Sequence, residues 1–398
     1  MTFEREPLAL LGGLSAEEFL RDYWQKKPLL IRQAMPGYQC PVDGNDLAGL
    51  ALEDEVESRL IIEKQNWALK RGPFSEKDFS KLPKTHWTLL VQQLDAWSPE
   101  INALKSLFSF IPNWRIDDVM ASYAPEGGSV GPHFDDYDVF LLQAQGQRHW
   151  QVGQTCDETT ARLPHANLKL LKDFKPRESW VLEPGDMLYL PPKLAHYGIA
   201  KNDCITLSIG FRAPSIQELV DRFASHFLES AGAVERYQDP DLTIQAAPGE
   251  ISASALTRVQ TLLQQALNDR SNLAAWFGEL VTEPKNACVI QALDEPVDHA
   301  TLQQLIAENW LLHQNEGSRF AYACESDELT LFHDGQPIKL DKTTNSSYAH
   351  SLEFAQKVCR IGSLPAQELI GSNPNPALAE ALQQLLNTGS LYCAELDS

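Results

Sequence analysis

The spacing of apolar side chains changes twice along the chain, and each change marks a different kind of structure. Ser15 followed by Glu18 is a capping-box pair, with Phe19, Leu20, Tyr23 and Trp24 behind it, so a helix is predicted over 15–24. Pro28-Leu29-Leu30-Ile31-Arg32 predicts a short buried strand, 45–52 a helical patch, and Val56 to Ile62 a second strand. Trp87, Leu90, Val91 and Leu94 fall at helical intervals and predict an amphipathic helix over 85–96. From 115 to 213 the period becomes two. Arg115–Tyr123, Val139–Leu142, His149–Val152, Ser179–Leu182, Met187–Leu190 and Cys204–Phe211 read as strands, separated by turn signals such as Pro184-Gly185-Asp186 and Pro191-Pro192. Short, frequently punctuated strands predict an antiparallel sandwich or barrel.

Beyond Pro214 the helical period returns, with Leu219, Val220, Phe223, Phe227 and Leu228 on a first helix and further helices over 252–267 and 273–281. So thin a helical layer is expected to finish burying its apolar face against a second copy, making it a dimerisation element. After Pro284 the pattern mixes. A helix over 302–309, strands over 319–323 and 329–332, an Asp334-Gly335 hairpin turn before Ile338, helices over 349–358 and 377–387, and a last strand over 390–396 predict a winged-helix-like unit. The division is 1–213 with a core at 92–213, then 214–285, then 286–398, and the class is α+β.

Charge narrows the partners. The 33 Lys and Arg stand against 54 Asp and Glu, a net −21, which repels nucleic acid and favours a basic protein partner. The last segment, 286–398, holds 5 cations against 15 acids, a poor balance for a winged helix that would grip phosphates. Seven scattered cysteines without a C-x-x-C pair argue for reduced thiols. With no apolar run of membrane length and no basic-then-apolar leader, a cytoplasmic protein without a membrane association is expected.

The candidate chemistry centres on Gly131-Pro132-His133-Phe134-Asp135-Asp136-Tyr137, the one His-x-Asp/Glu of the chain. On a strand, His133, Asp135 and Tyr137 share a face, and an imidazole with a carboxylate so placed supplies two ligands of a 2-His-1-carboxylate metal triad. The ordinary alternative is a strand histidine beside a solvated acidic turn. His196, delivered by an apolar strand and a Pro-Pro break, is the choice for the second imidazole over His149, His165 and His226. Arg148 falls on the apolar face of Trp150 and Val152. A buried guanidinium needs an anion, and either a dicarboxylate cosubstrate or an internal salt bridge would satisfy it. Ser122 is placed to add a hydroxyl.

His133-x-Asp135 with His196 and Arg148, behind Tyr23-Trp24-Gln25-Lys26-Lys27-Pro28-Leu29-Leu30-Ile31-Arg32, resembles the JmjC-type 2-oxoglutarate oxygenases, and within them the bacterial ribosomal oxygenases. The resemblance covers essentially the whole chain. It implies a double-stranded β-helix (JmjC/cupin-like), a helical dimerisation domain and a C-terminal winged-helix-like domain. It also implies Fe(II) on His133, Asp135 and His196, and 2-oxoglutarate on Arg148 and Ser122. Asp118, Met120, Tyr137 and Ser208 would hold a substrate arginine of a large-subunit ribosomal protein, the reaction being hydroxylation at its β-carbon. Two other readings fit parts of the pattern: a metal cupin enzyme that uses no 2-oxoglutarate, and a non-enzymatic acidic adaptor for basic ribosomal proteins.

Overall fold

The structure is a computed structural model that describes residues 6–394 except 64–66, 165–166, 231–235, 245–248, 326–327, 341–343 and 361. The chain divides into two compact units, one of 1–213 with 286–290 and 315–317, the other of 214–285, 291–314 and 318–398.

The first unit begins with α1 (Ala16–Asp22), whose Ser15 and Glu18 make the reciprocal capping box written in the sequence. Then come β1 (Leu29–Ile31), α2 (Gly44–Leu50), β2 (Ser58–Ile62), β3 (Ala68–Arg71), α3 (Glu76–Phe79), β4 (Trp87–Val91) and α4 (Pro99–Ala103). The strand-rich stretch supplies β5 (Ile116–Ala124), β6 (Val139–Gln145), β7 (Arg148–Thr155), β8 (Glu178–Leu182), β9 (Met187–Leu190), β10 (Leu194–Ala200) and β11 (Cys204–Phe211). These strands form an eight-stranded sheet in the order β1-β9-β6-β11-β5-β4-β2-β3 and a three-stranded sheet β10-β7-β8. All the pairings are antiparallel.

The two sheets face each other. Val139, Leu141, Leu188 and Leu190 of the large sheet pack with Trp150, Val152 and Leu182 of the small one. The other side of the large sheet is also covered, with Phe19 of α1 against Phe140 and Tyr189 at ring distances of 5.5 and 4.9 Å. Burial on both faces explains near-continuous apolar runs such as Met187-Leu188-Tyr189-Leu190, in which every residue is buried.

The same burial overturns one expectation. Trp87–Val91 is a strand, paired with β2 and β5, and not part of a helix over 85–96. Four of its five residues are buried, so the alternation that marks a half-buried strand is missing and the helical spacing is incidental. Gln93, at φ 52, then turns the chain through the left-handed region, which no continuing helix permits.

In the second unit, α5 (Ile216–Ser230), α6 (Ala253–Asn268) and α7 (Arg270–Thr282) come first. They are followed by α8 (His299–Ala307), β12 (Leu311–Gln314), β13 (Phe320–Glu325), β14 (Glu328–His333) and β15 (Gln336–Leu340). Last come α9 (Asn345–Val358), β16 (Ser363–Pro365), α10 (Ala366–Ile370), α11 (Pro376–Asn387) and β17 (Leu391–Ala394). The end of the strand expected over 390–396 lies outside the described residues. Sheets β16-β12-β17 and β13-β14-β15 share a core with Leu302, Phe354, Leu382 and Leu385 of the helices. Asp334 and Gly335 take φ of 50 and 79°, the doubly left-handed turn that Asp-Gly favours in a two-residue hairpin.

Candidate metal and cosubstrate site

His196 is the third residue of β10, pairs with Val152 of β7 and is 3% exposed. Its partner is His133: each backbone N–H donates to the other residue's carbonyl, at 3.1 and 2.9 Å. The segment 133–137 is not the regular strand that alternation predicted. Only His133 makes a bridge, and the chain bends at 136–137 before β6. Gly131, at φ 82, opens this loop, a backbone state in which any side chain is strained, so glycine suits the position. Asp135 is held instead by Lys193, whose N–H reaches the Asp135 carbonyl at 2.6 Å. Lys193 itself sits at φ 64, a backbone state that no residue type announced.

Convergence survives the irregularity. Asp135 Oδ2 is 3.9 Å from His133 Nε2 and 3.6 Å from His196 Nε2, and one ligand atom from each of the three falls within 4.8 Å of the others. Each imidazole turns Nδ1 toward a backbone carbonyl, that of Gly131 for His133 at 2.8 Å and that of Leu194 for His196 at 2.9 Å. A carbonyl only accepts, so the proton belongs on Nδ1 and the Nε2 lone pairs face the common point. Burial, with His133 as the second cause, lowers the His196 imidazole to about 4, which favours the neutral ligating form at neutral pH. The donor set suits a divalent first-row metal with an open side.

Arg148 lies on the inner face of β7, 3% exposed, with its guanidinium 5.8 Å from the Trp150 ring. Nη1 donates to Ser122 Oγ at 3.1 Å, across from the small sheet to the large. Nε and Nη2 are buried without a hydrogen-bond partner among the described residues. Buried donors on a permanent cation suit an anion, and a carboxylate presents two oxygens in matching geometry. Arg148 is four residues along β7 from Val152, the register partner of His196, about 13 Å of strand. Its side chain therefore faces the same interior as the triad.

Of the other candidates, Asp118, Met120 and Ser122 alternate along one face of β5, and Ser208 of β11 is the register partner of Met120. Asp118 is 5% exposed and accepts a hydrogen bond from Gln92 Nε2 at 3.1 Å. Nothing in the sequence marked Gln92 as its orienting partner. Tyr137 is 43% exposed. The nearby Asp135 carboxylate, then burial, then Asp118 and Asp117 push its hydroxyl upward. Neither His149 nor His226 belongs to the ligand cluster. His149 is on the opposite face of β7 from Arg148, and His226 is on α5, 3.5 Å from Glu279. His165 lies outside the described residues.

Residues 103–219 match the JmjC domain and 263–392 the ROXA-like winged helix. The latter span takes in α7, which the sequence division placed with the helical segment. The chain is 34% identical over 307 residues to the ribosomal protein uL16 3-hydroxylase of Escherichia coli, covering 77% of this chain and 82% of the relative. The chain belongs to the ribosomal oxygenase family. A probable ribosomal oxygenase of Haemophilus influenzae is 44% identical over 234 residues, 58% of this chain and a little over half, 56%, of the relative. Among solved structures, E. coli YcfD superposes with a TM-score of 0.86 at 30% identity, over 96% of this chain and 98% of that one. Another structure of this ribosomal oxygenase contains cobalt and 2-oxoglutarate, with a TM-score of 0.83 at 29% identity over 95% and 97% of the two chains. The fold is thus the double-stranded β-helix of JmjC proteins, followed by the winged helix.

Proposed function

We propose that this chain is an Fe(II)- and 2-oxoglutarate-dependent dioxygenase that hydroxylates an arginine side chain in a large-subunit ribosomal protein. The observation that carries it is Arg148, a buried guanidinium with two unpartnered donors facing the interior that His133, Asp135 and His196 also face. Those three residues would hold the iron, and Arg148 with Ser122 the distal carboxylate of 2-oxoglutarate. Ser122 Oγ already accepts from Arg148, so its own proton is free to be given to that carboxylate. Bound iron, 2-oxoglutarate and O₂ together supply the oxidant, with succinate and CO₂ as by-products.

The chain's own contribution is orientation. Asp118, held by Gln92, would grip a guanidinium by paired hydrogen bonds, while Tyr137 and Met120 would flank its plane and Ser208 line the floor. That leaves the carbons nearer the peptide backbone toward the metal, in keeping with the description of the E. coli relative as a 3-hydroxylase. A net charge of −21 suits a basic protein substrate, and such a substrate places the enzyme in the cytoplasm.

A metal cupin without 2-oxoglutarate leaves Arg148 with no counter-ion, and an acidic adaptor needs no convergent ligand triad. We further infer a homodimer through the helices of 214–285. Phe223 packs at 5.2 Å on Trp276 within the unit, so the open residues differ in part from the expected Leu219, Phe223 and Phe227 stripe. They are Phe227 together with Ile216, Val220 and Leu228 on α5 and with Leu256, Val259, Leu263 and Leu267 on α6, all exposed.

Mass spectrometry of a basic large-subunit ribosomal peptide incubated with the enzyme, Fe(II) and 2-oxoglutarate tests the assignment. One added oxygen on an arginine is the expected result; an oxygen on any other residue would overturn the substrate residue while sparing the oxygenase. Asp118→Ala should depress peptide hydroxylation far more than 2-oxoglutarate turnover without peptide, since it touches neither metal nor cosubstrate.

A further inference from the structure

A fully buried carboxylate stands directly behind the ligand loop. Asp138, three residues after Asp135 and next to Tyr137, has no exposed surface, and neither the metal nor the cosubstrate site uses it. Its Oδ1 accepts from the Tyr189 hydroxyl at 2.6 Å. Its Oδ2 accepts from Gln25 Nε2 at 2.9 Å, with Arg115 Nη2 more distant at 3.5 Å. The backbone N–H of Gln25 donates to the same Tyr189 hydroxyl at 2.8 Å. Gln25, Tyr189 and Asp138 therefore close a ring of three hydrogen bonds in which every donor and acceptor is assigned.

The N-terminal segment is fixed to make this ring. Gln25 takes φ 58, a state sparsely populated by residues with a side chain and retained only where surroundings impose it. Trp24 stacks on Tyr189 at 5.9 Å and meets Phe211 edge-on at 5.4 Å. The ligand loop is pinned on both sides of the same short link. Lys193 N–H holds the Asp135 carbonyl at 2.6 Å, and Phe211 N–H holds the Asp138 carbonyl at 3.0 Å. With only two residues between them, Asp138 cannot shift without moving Asp135 and Tyr137.

We propose that Gln25, Tyr189 and Asp138 are positioning residues of the metal site, through which the N-terminal segment sets where the Asp135 carboxylate and the Tyr137 ring lie. This rests on the reading of His133, Asp135 and His196 as metal ligands. The alternative role, a buried cap that merely stabilises the start of β6, predicts the same contacts but a different response to reversal of the bond. Asp138→Asn turns an acceptor toward Gln25 into a donor, and Gln25→Glu turns the donor into an acceptor. Gln25→Glu alone sets two carboxylates against each other, whereas Asp138→Asn alone can be met by the Gln25 amide turned over to present its oxygen. Together they restore one bond between the same two positions, with the net charge of the chain unchanged.

The test is isothermal titration of Mn(II) alone into the metal-free full chain, with the melting temperature of each variant recorded alongside. Gln25→Glu alone is expected to weaken Mn(II) binding on the order of tenfold, the low end for residues that support metal ligands. The double substitution is expected to recover to within about threefold of the parent. A Gln25→Glu variant that binds Mn(II) like the parent would overturn the inference. So would a Gln25→Glu variant whose lost affinity tracks lost melting temperature and is not recovered in the double. A parent chain that binds no Mn(II) is a separate outcome, which overturns the metal assignment itself and the inference with it.

Discussion

A permanent cation shut away from water with two idle donors is a local cost that the free protein carries for its ligand. For Arg148 the cost is on the order of 1–3 kcal/mol, the penalty of buried unsatisfied polar groups. Arg148→Met keeps most of the stem and removes the donors. It is expected to raise the melting temperature of the ligand-free chain by a few degrees, while abolishing the further stabilisation that 2-oxoglutarate gives with Mn(II) present. Arg148→Ala should raise the 2-oxoglutarate requirement by an amount on the order of 2–5 kcal/mol, roughly thirty-fold to a few thousand-fold. Arg148→Lys should fall between, keeping the charge and losing the fork. Succinate formation against 2-oxoglutarate concentration reads all three, and an unchanged requirement in the alanine variant would move the carboxylate site elsewhere. The parity of Arg148 with Trp150 and Val152 was legible in the sequence, because a strand offers only two faces. The partners that orient the site were not. Gln92 reaches Asp118 from 26 positions away and Gln25 reaches Asp138 from 113, and a lone glutamine carries no local signal of either.

At the scale of elements, legibility follows burial. Strands with one wet face, and helices with a side-chain cap such as Ser15–Glu18, announce their period and their ends. The Trp87–Val91 strand, buried on both sides, does not, whereas the equally buried Met187–Leu190 is announced by the Pro184-Gly185-Asp186 and Pro191-Pro192 breaks that bracket it. The loop of His133 and Asp135 was read as a strand because its pairing residues alternate, yet only His133 is bridged and the ligand geometry comes from bulged backbone around Lys193. The β14–β15 hairpin shows what a legible turn can hide. Next to the readable Asp334-Gly335 pair, His333 is 1% exposed, and burial lowers its imidazole to about 4. The folded pKa lies below the unfolded one, so in acid the unfolded chain takes the proton first. The stabilising contribution is complete above about 6.5 and is lost as pH falls toward 4, up to roughly 3 kcal/mol. Asp334, raised by burial and bonded to Ser390 at 2.7 Å, acts in the opposite sense and returns part of that loss. Protection factors for hydrogen exchange of β13–β15 in the full chain, corrected for the intrinsic pH dependence of exchange, should therefore fall between pH 6.5 and 4.5, and His333→Asn should flatten that dependence. Equal acid sensitivity in the variant would assign the loss to other groups.

At the scale of the whole molecule two surface properties set its associations, and they respond to different variables. The −21 charge acts through solvent and is screened over about 8–10 Å at ordinary ionic strength, so attraction of a basic peptide should weaken as salt is added. The exposed apolar residues of α5 and α6, among them Val220 at 64% and Leu263 at 65% exposed, respond to water and not to salt. Left open they would be an aggregation hazard. Closed by a two-fold partner they become a self-complementary interface in which every residue counts twice, and a stable one needs about 800 Å² per subunit. The parent chain is accordingly expected to sediment as a dimer at micromolar concentration in both low and high salt. Val220→Asp combined with Leu263→Asp buries four carboxylates per dimer without counter-ions, a cost that apolar contact cannot offset. That variant should sediment as a monomer with an unchanged far-ultraviolet circular dichroism spectrum. Salt alone splitting the parent dimer would show that charge, and not apolar contact, holds it together. A parent that is monomeric throughout would leave these residues to some other partner.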